Sequence, residues 1–481
     1  MSEWWPRIVI FVLLAIVLGV PMAFQPAQAT RGVDATGPRL IIYSPHNEQI
    51  RFEFARAFNE YRQSRGLDPI VFDWRAAGGT TDIRKKIISE FEAKIAQGRQ
   101  AEGIGADLFF GGGEYEHNKL AVGIKSGDGV VHMTEPIRLP DGMLEQVFPQ
   151  PRIGGERLYD EQNLSWVGAA LSSFGIVHNR DVLSQLDIDV PTTWKDLADP
   201  RYRHWIALSD PGHSGSIAAT YNTIVRRMGW VEGWRTLRRV YANARYFTSS
   251  STKVPVDVSA GEAAAGMCID FYGRFQAGAI MAGGGDRIGY VDPPRMTAIT
   301  ADPITILRGA PSGELANDFV IWLLSPDGQC LWQRRVGSPG GPAKYELRRL
   351  PVRQDVYHDD QMRYWTDHVK PFDIAESFPE RVPDYYGTIK TISHAIAIDI
   401  HDDLVAAWTA INQHRDHPQC DKMLELFDAM PPVLSPDEPD GRFVDALLTR
   451  WRNDPDQELR DRLEWTMFFR GNYRHIIEMA R

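Results

Sequence analysis

Three short runs rich in β-branched and aromatic residues, RLIIYS (39–44), PIVFDW (69–74) and ADLFF (106–110), are separated by two helical patterns. Ile50, Phe54, Phe58 and Tyr61 recur at helical spacing after the first run, and Ile83, Ile87, Phe91 and Ile95 after the second. Strand, helix, strand, helix, strand in that order predicts a mostly parallel sheet, with its ligand crevice at the carboxyl ends of the strands. The loops that follow strands are therefore where function is expected.

The pattern restarts further along. SWVGAALSSFGIVHN (165–179) reads as one or two extended segments, PTTWKDLADPRYR (191–203) as a short polar helix, and WIALSD (205–210) as a strand feeding GHSGS and a helix. Further strands are expected at 245–248 and 264–271, with a capping box at Ser259–Glu262. ITILRG (304–309) returns as a strand, and Ser312 is placed to cap the next helix. Beyond about residue 355 only helical patterns remain, at 388–413, 420–429 and 442–481, with the proline-rich PPVLSPDEPDG (431–441) as a linker.

Composition bounds the function. The 481 residues are 43% hydrophobic and 24% charged, which is the profile of a folded protein of two or three domains. The net charge of −10 argues against nucleic acid or an anionic membrane surface as partner. Cys268, Cys330 and Cys420 are too few and too scattered for a disulfide framework or a Cys-x-x-Cys site. Residues 1–29 read as an export signal: the uncharged stretch Ile8–Phe24 is followed by Ala27-Gln28-Ala29, the small residues a signal peptidase needs. Its seventeen residues fall slightly short of a bilayer core, and the alternative is an uncleaved anchor through residues 8–24. The remainder is expected to be periplasmic.

Four loops have the character of anion sites: YSPHNEQ (43–49), RAAGGTTD (75–82), DPGHSGS (210–216) and FTSSSTK (247–253). Small residues and hydroxyls beside a helix start let an anionic oxygen approach unpaired N–H groups. Arg75, Lys253 and Arg274 supply charge near them, and His46 and His213 can hydrogen-bond. The expected ligand contacts are His46, Gly78, Gly79, Thr80, Thr81, Ser214, Gly215, Ser216, Ser250, Ser251, Tyr272 and Arg274. No G-x-S-x-G, Walker A, H-E-x-x-H or dinucleotide glycine motif occurs at a suitable position, which points away from an enzyme. The competing enzyme reading has only His46, Asp270 and Tyr272 as acid–base groups. No cofactor is expected.

LIIYSPHNEQI, RAAGGTTDI, DLFFGGGEYEHNKL, SSFGIVHNRDVL, PTTWKDLADPRYRHWIALSDPGHSGS, AAGMCIDFYGR, DPITILRGAPSGELANDFVIWLLSPDGQ and GGPAKYELRRLP, in that order, resemble the periplasmic solute-binding proteins of ABC importers. The branch is the one holding ferric-iron binders and binders of phosphorylated or phosphonate solutes, and the resemblance covers about residues 38–360. It implies a two-lobed type II periplasmic-binding-protein-like α/β fold with a hinge, a monomer that hands its solute to a membrane permease. In these terms residues 38–169 plus 304–390 form lobe 1, 170–303 form lobe 2, and 391–481 form a helical extension expected to pack on lobe 1. The implied solute is a small anion bearing phosphate, phosphonate or carboxylate, held between 78–81 and 214–216. Ferric binders use adjacent tyrosines where this chain has Phe271-Tyr272. Only Tyr272 and His46 would serve iron, which makes iron the alternative ligand. The pair Tyr385-Tyr386 reads as a surface or packing feature, and a membrane-anchored sensor is the third reading.

Overall fold

The computed structural model describes residues 37–481 except 100, 128, 379–381, 437–439 and 455. The export signal and the alternative anchor lie outside the described residues. Among the described residues, no helix is long and apolar enough to cross a membrane.

Two sheets organise the chain. In the first, β1 (Arg39–Tyr43) lies between β2 (Val71–Arg75) and β3 (Leu108–Phe110), all parallel. A long returning strand, β11 (Thr300–Leu307), runs antiparallel to β3 and carries the short β4 (Thr134–Glu135) and β5 (Val167–Ser172) on its other side. Alternate residues of β1, Leu40 and Ile42, meet Phe54 and Phe58 of helix α1 (Glu48–Ser64) in one core. The opposite face meets Ile83, Ile87 and Phe91 of α2 (Thr80–Ala96). A strand buried on both faces reads as an unbroken apolar run, which is what RLIIY and LFF are. Helices α3 (Glu114–Val122) and α7 (Gly313–Leu323) complete this lobe.

SWVGAALSSFGIVHN proves to be two strands in two different sheets. β5 belongs to lobe 1, and β6 (Phe174–Asn179) pairs with β9 (Ala265–Ile269) and β10 (Ile288–Val291) in lobe 2. Ser173, whose hydroxyl donates to Asp292 at 2.5 Å, is the crossing point. The second sheet continues through β7 (Ile206–Ser209) to β8 (Ala244–Thr248), both parallel to β9 in direction. Helices α4 (Gly215–Met228), α5 (Trp230–Asn243) and α6 (Asp270–Ala282) cover it.

Two local expectations are corrected. Residues 191–203 hold two 3₁₀ turns, because Asp199-Pro200 breaks any continuous helix. Ser259 ends a helix, Lys253–Ser259, and does not cap the next; Gly261 at φ 78° turns the chain straight into β9.

The extension consists of α8 (Tyr386–Ile396), α9 (His401–Gln413), α10 (Cys420–Asp428), α11 (Gly441–Asn453) and α12 (Gln457–Met479). Apart from Tyr386 at its start, it packs on lobe 2, not on lobe 1. Trp230, Trp234, Leu237 and Tyr241 of α5 share one continuous core with Ile389, Ile392, Ile396, Trp408, Phe427, Trp465, Phe469 and Tyr473. Polar bonds pin the same surface: Trp230 donates to the Leu434 carbonyl at 2.9 Å, and the Tyr241 and Ser393 hydroxyls lie 3.0 Å apart. The physical reason is that α5 is apolar on two sides. One covers the sheet, and the other would expose four large side chains, each contributing about 1.5–3 kcal/mol on burial.

Candidate functional site

A cavity of about 770 Å³ lies between the lobes, at the carboxyl ends of both sets of parallel strands. Its walls are the loops after β1 (Pro45–Asn47), β2 (Ala76–Thr80), β3 (Gly112–Tyr115), β7 (His213–Ser216), β8 (Ser249–Thr252) and β9 (Ile269–Tyr272). The cleft is closed. A Cβ on Gly79 would collide with the His213 carbonyl oxygen of the other lobe, Asp82 lies 4.0 Å from His213, and Arg226 of lobe 2 ion-pairs with Glu156 of lobe 1.

Several helices begin at this cavity, among them α2, α3, α4 and α6. α2, α3 and α6 start after Gly79, Gly113 and Ile269, and none has a side-chain cap on its first-turn N–H groups; α4 starts after Ser214, whose hydroxyl accepts from Ile217 at 3.4 Å. Uncapped N–H groups with the positive end of the helix dipole favour an anionic oxygen. The lobe 2 wall is rich in hydroxyls: Ser216 is 3.2 Å from both Ser214 and Ser251, and Ser250 is 2.8 Å from Thr252.

The lining also carries charge, and its three arginines are all paired. Arg157 donates to Glu114 at 2.7 Å, and Arg226 binds Glu156. Burial pushes the Glu156 carboxyl up; Arg226 opposes this, and Glu114 and Asp384 add to it. Asp384 accepts from Asn222 at 2.7 Å and from the Tyr386 backbone at 3.1 Å.

The floor is a buried triad. His46 is 2.9 Å from Asp302, Arg349 ion-pairs with Asp302, and Arg349 also donates to Ser172 at 2.7 Å. Asp302 accepts from Gly112 N–H at 2.6 Å, and Gly112 sits at φ 114° with no room for a side chain beside Thr80. Burial raises the Asp302 carboxyl, but Arg349 and His46 outweigh it and hold it at about 2. Burial lowers His46 against the pull of Asp302; the residue is among those lining the cavity, and its Nδ1 is buried without a partner.

Of the residues expected at the ligand, His46, Gly78, Gly79, Thr80, Ser214, Gly215, Ser216, Ser250, Ser251 and Tyr272 line the cavity. Thr81 and Arg274 do not. Thr81 turns its hydroxyl to Glu116 at 3.1 Å, one position round the helix from Thr80. Arg274 is held by Asp292 and lies over the Tyr290 ring at 5.0 Å. Arg75 and Lys253 are also elsewhere, beside Asp73 and Asp257. The arginines that do reach the cavity, Arg157, Arg226 and Arg349, come from a hairpin, a helix interior and a segment after α7, and nothing in their local sequence marks them. Tyr386 and Asp384 were equally hidden; the signal was Tyr385-Tyr386 itself, set directly before a helix.

Asp270 is fully buried, and both its carboxylate oxygens lack partners. Burial pushes it up to about 7 against Arg274, with Asp292 adding to the rise. A carboxyl whose folded value lies above its unfolded value binds its proton more tightly when folded, so stability falls as pH rises from about 4 to 7. Asp270→Asn is expected to remove that fall and to stabilise the protein at pH 8, by an amount on the order of 1–3 kcal/mol. Denaturant midpoints of both proteins at pH 5 and pH 8 check this; a variant less stable than the parent at pH 8 contradicts it.

Residues 147–356 match the family model described as bacterial extracellular solute-binding protein. The chain is 27% identical to the phosphoglycerate transport regulatory protein PgtC of Salmonella typhimurium over 184 residues, 38% of this chain and 43% of that protein. It is 30% identical to an uncharacterized protein of Haemophilus influenzae over 173 residues, 36% of this chain and 48% of the other. The match thus spans less than half the length of these curated relatives. Among solved structures, the periplasmic binding protein AfuA from Actinobacillus pleuropneumoniae, with exogenous fructose-6-phosphate bound, superposes with a TM-score of 0.54 at 18% identity. The alignment covers 77% of this chain and 98% of AfuA. Iron-bound HitA from Pseudomonas aeruginosa gives 0.51 at 16% identity, covering 76% and 99%. The fold is that of the type II periplasmic binding proteins, with a helical C-terminal region added.

Proposed function

We propose that the protein is an exported receptor of an ABC-type importer that closes its lobes on a small phosphorylated solute bearing free hydroxyls. The observation that carries this reading is the make-up of the lining. Helix N-termini without side-chain caps and a serine-rich wall stand beside carboxylates, and every arginine in the lining is already committed to one of those carboxylates.

An anion at such a site is held by backbone N–H groups and hydroxyls, not by a free cation. Carboxylates cannot face a second anion at short range without repulsion, but their spare lone pairs accept from ligand hydroxyls. A solute with both a phosphate and free hydroxyls uses both kinds of group; inorganic phosphate uses only the first. The bound sugar phosphate of AfuA and the transport system named for PgtC support the same class.

Thermal shift with inorganic phosphate, fructose 6-phosphate, 3-phosphoglycerate and ferric citrate tests it. Either organic phosphate is expected to stabilise the protein by about 2.7 kcal/mol at one hundred times its dissociation constant, and to leave solution unchanged chemically. A response to ferric citrate alone would transfer the site to iron through Tyr272 and His46. Recovery of dephosphorylated product would replace the receptor by an enzyme.

A further inference from the structure

The extension does more than cover lobe 2. Its first helix begins at the mouth of the cavity. Phe378 lies beneath the guanidinium groups of Arg226 and Arg227, at 3.6 and 4.0 Å from the ring centroid. The Asn222 side chain then grips the strap from α4 with both ends of its amide: the nitrogen donates to Asp384 at 2.7 Å, and the oxygen accepts from Tyr385 N–H at 3.1 Å. Tyr385 is buried against Trp230, with ring centroids 4.9 Å apart. These contacts fix the start of α8 rigidly to lobe 2.

Tyr386, the next residue, faces the other way. Its ring packs on Tyr115 of lobe 1, with centroids 4.4 Å apart. Its hydroxyl lies 3.2 Å from the Gly215 carbonyl of lobe 2 and 3.4 Å from Glu116 Oε1 of lobe 1. Glu116 is itself buried and held by Arg84 and Thr81, so the lobe 1 acceptor is as rigid as the lobe 2 anchor. Burial raises the phenol well above its ordinary range, and Glu116 and Tyr115 add to this, so the hydroxyl stays a donor at every physiological pH.

We propose that Tyr386 is the latch of the closed receptor: carried by lobe 2 through the C-terminal extension, it locks onto Tyr115 and Glu116 of lobe 1 and sets how long a solute is retained. The cavity-lining role rests on the solute-receptor reading above; the latch between lobes does not. Hinge closure is an equilibrium between two packings, and a contact made only in the closed one shifts it by the free energy of that contact. Tyr386 suits that position: its ring packs on lobe 1 and its hydroxyl bridges Gly215 of lobe 2 and Glu116 of lobe 1, while Tyr385 and Asn222 hold α8 on lobe 2. The extension lies outside the family-matched segment, so the latch is an addition to the two-lobed fold.

The test uses the full chain with nitroxide labels at Val122→Cys in lobe 1 and Val231→Cys in lobe 2, positions 69% and 65% exposed, while the three native cysteines are buried. Without ligand, Tyr386→Ala is expected to lengthen and broaden the interlobe distance distribution, and Tyr386→Phe to do so in part. With fructose 6-phosphate, release measured by stopped flow is expected to quicken roughly fivefold in Tyr386→Phe, the loss of one net hydrogen bond. It is expected to quicken at least tenfold in Tyr386→Ala, where the aromatic contact goes too. Distances unchanged in the Phe and Ala variants overturn the latch, and if the Ala variant fails to fold the Phe variant alone decides. Distances that lengthen while the parent ignores every organic phosphate leave the latch standing and remove the phosphate reading.

Discussion

Arg349→Met is expected to destabilise the protein by about 3–5 kcal/mol, the cost of leaving a buried carboxylate without its counter-ion. Arg349 is 1% exposed and Asp302 5% exposed, and the guanidinium also stacks 4.3 Å from the Phe271 ring. Methionine fills much of the volume, so the loss is electrostatic. Asp302 ties β11 to the β3 loop through Gly112 and to the β1 loop through His46, and both loops build the cavity floor.

The sign with pH follows from the same pair. The Asp302 carboxyl sits at about 2, below its unfolded value, so its contribution is complete above about pH 4 and is lost as pH falls through about 2. Without Arg349 the carboxyl titrates upward, and the penalty of the variant shrinks as the solution is acidified from pH 7 to pH 4. Urea unfolding at the two pH values measures it. Asp302→Asn in the Arg349→Met background is expected to recover part of the loss, because the orphaned charge is gone. A single-variant loss below about 1 kcal/mol would mean that water, not Arg349, satisfies Asp302.

Gly79→Val is expected to lower solute affinity at least a hundredfold while leaving the fold intact. The reason is contact, not backbone freedom: Gly79 is at φ −74°, open to any residue, whereas a Cβ there would strike the His213 carbonyl across the cleft. Valine therefore props the lobes apart without disturbing α2. Far-ultraviolet circular dichroism and melting temperature should stay near those of the parent, while calorimetric titration with the responding phosphate loses its signal. Affinity within threefold of the parent would show that closure at Gly79 is not required for binding.

The runs at 39–44 and 106–110 were readable as strands because both their faces are buried, the half-buried edge run at 69–74 because it is rich in β-branched and aromatic residues, and the small-residue loops after them were readable as a ligand crevice. Local sequence carries that information: a parallel strand followed by an unpaired helix start is a chemical feature of a few adjacent residues. Ser173 as the crossing between sheets was not readable, since β5 and β6 are equally apolar and only their partners differ. Arg274 was expected at the ligand as a fixed charge near the strand-end loops. Its true partner, Asp292, is 18 residues away on another element.

By itself, then, the sequence determined the α/β class, the strand-end loops that face the cleft and the hydroxyl-rich character of one wall, because each depends on periodicity or on neighbours in the chain. Only the tertiary structure decided which charges reach the cavity and on which lobe the C-terminal helices rest. Those depend on pairs far apart in sequence: Asp302 with Arg349, Arg226 with Glu156, Trp230 with Tyr385, and Tyr386 with Glu116. A buried charge or an apolar helix face requires a partner, but the sequence does not say which of several candidates will meet it. Folding brings one of them within about 3 Å, and that choice places a tyrosine from the extension at the mouth of the site.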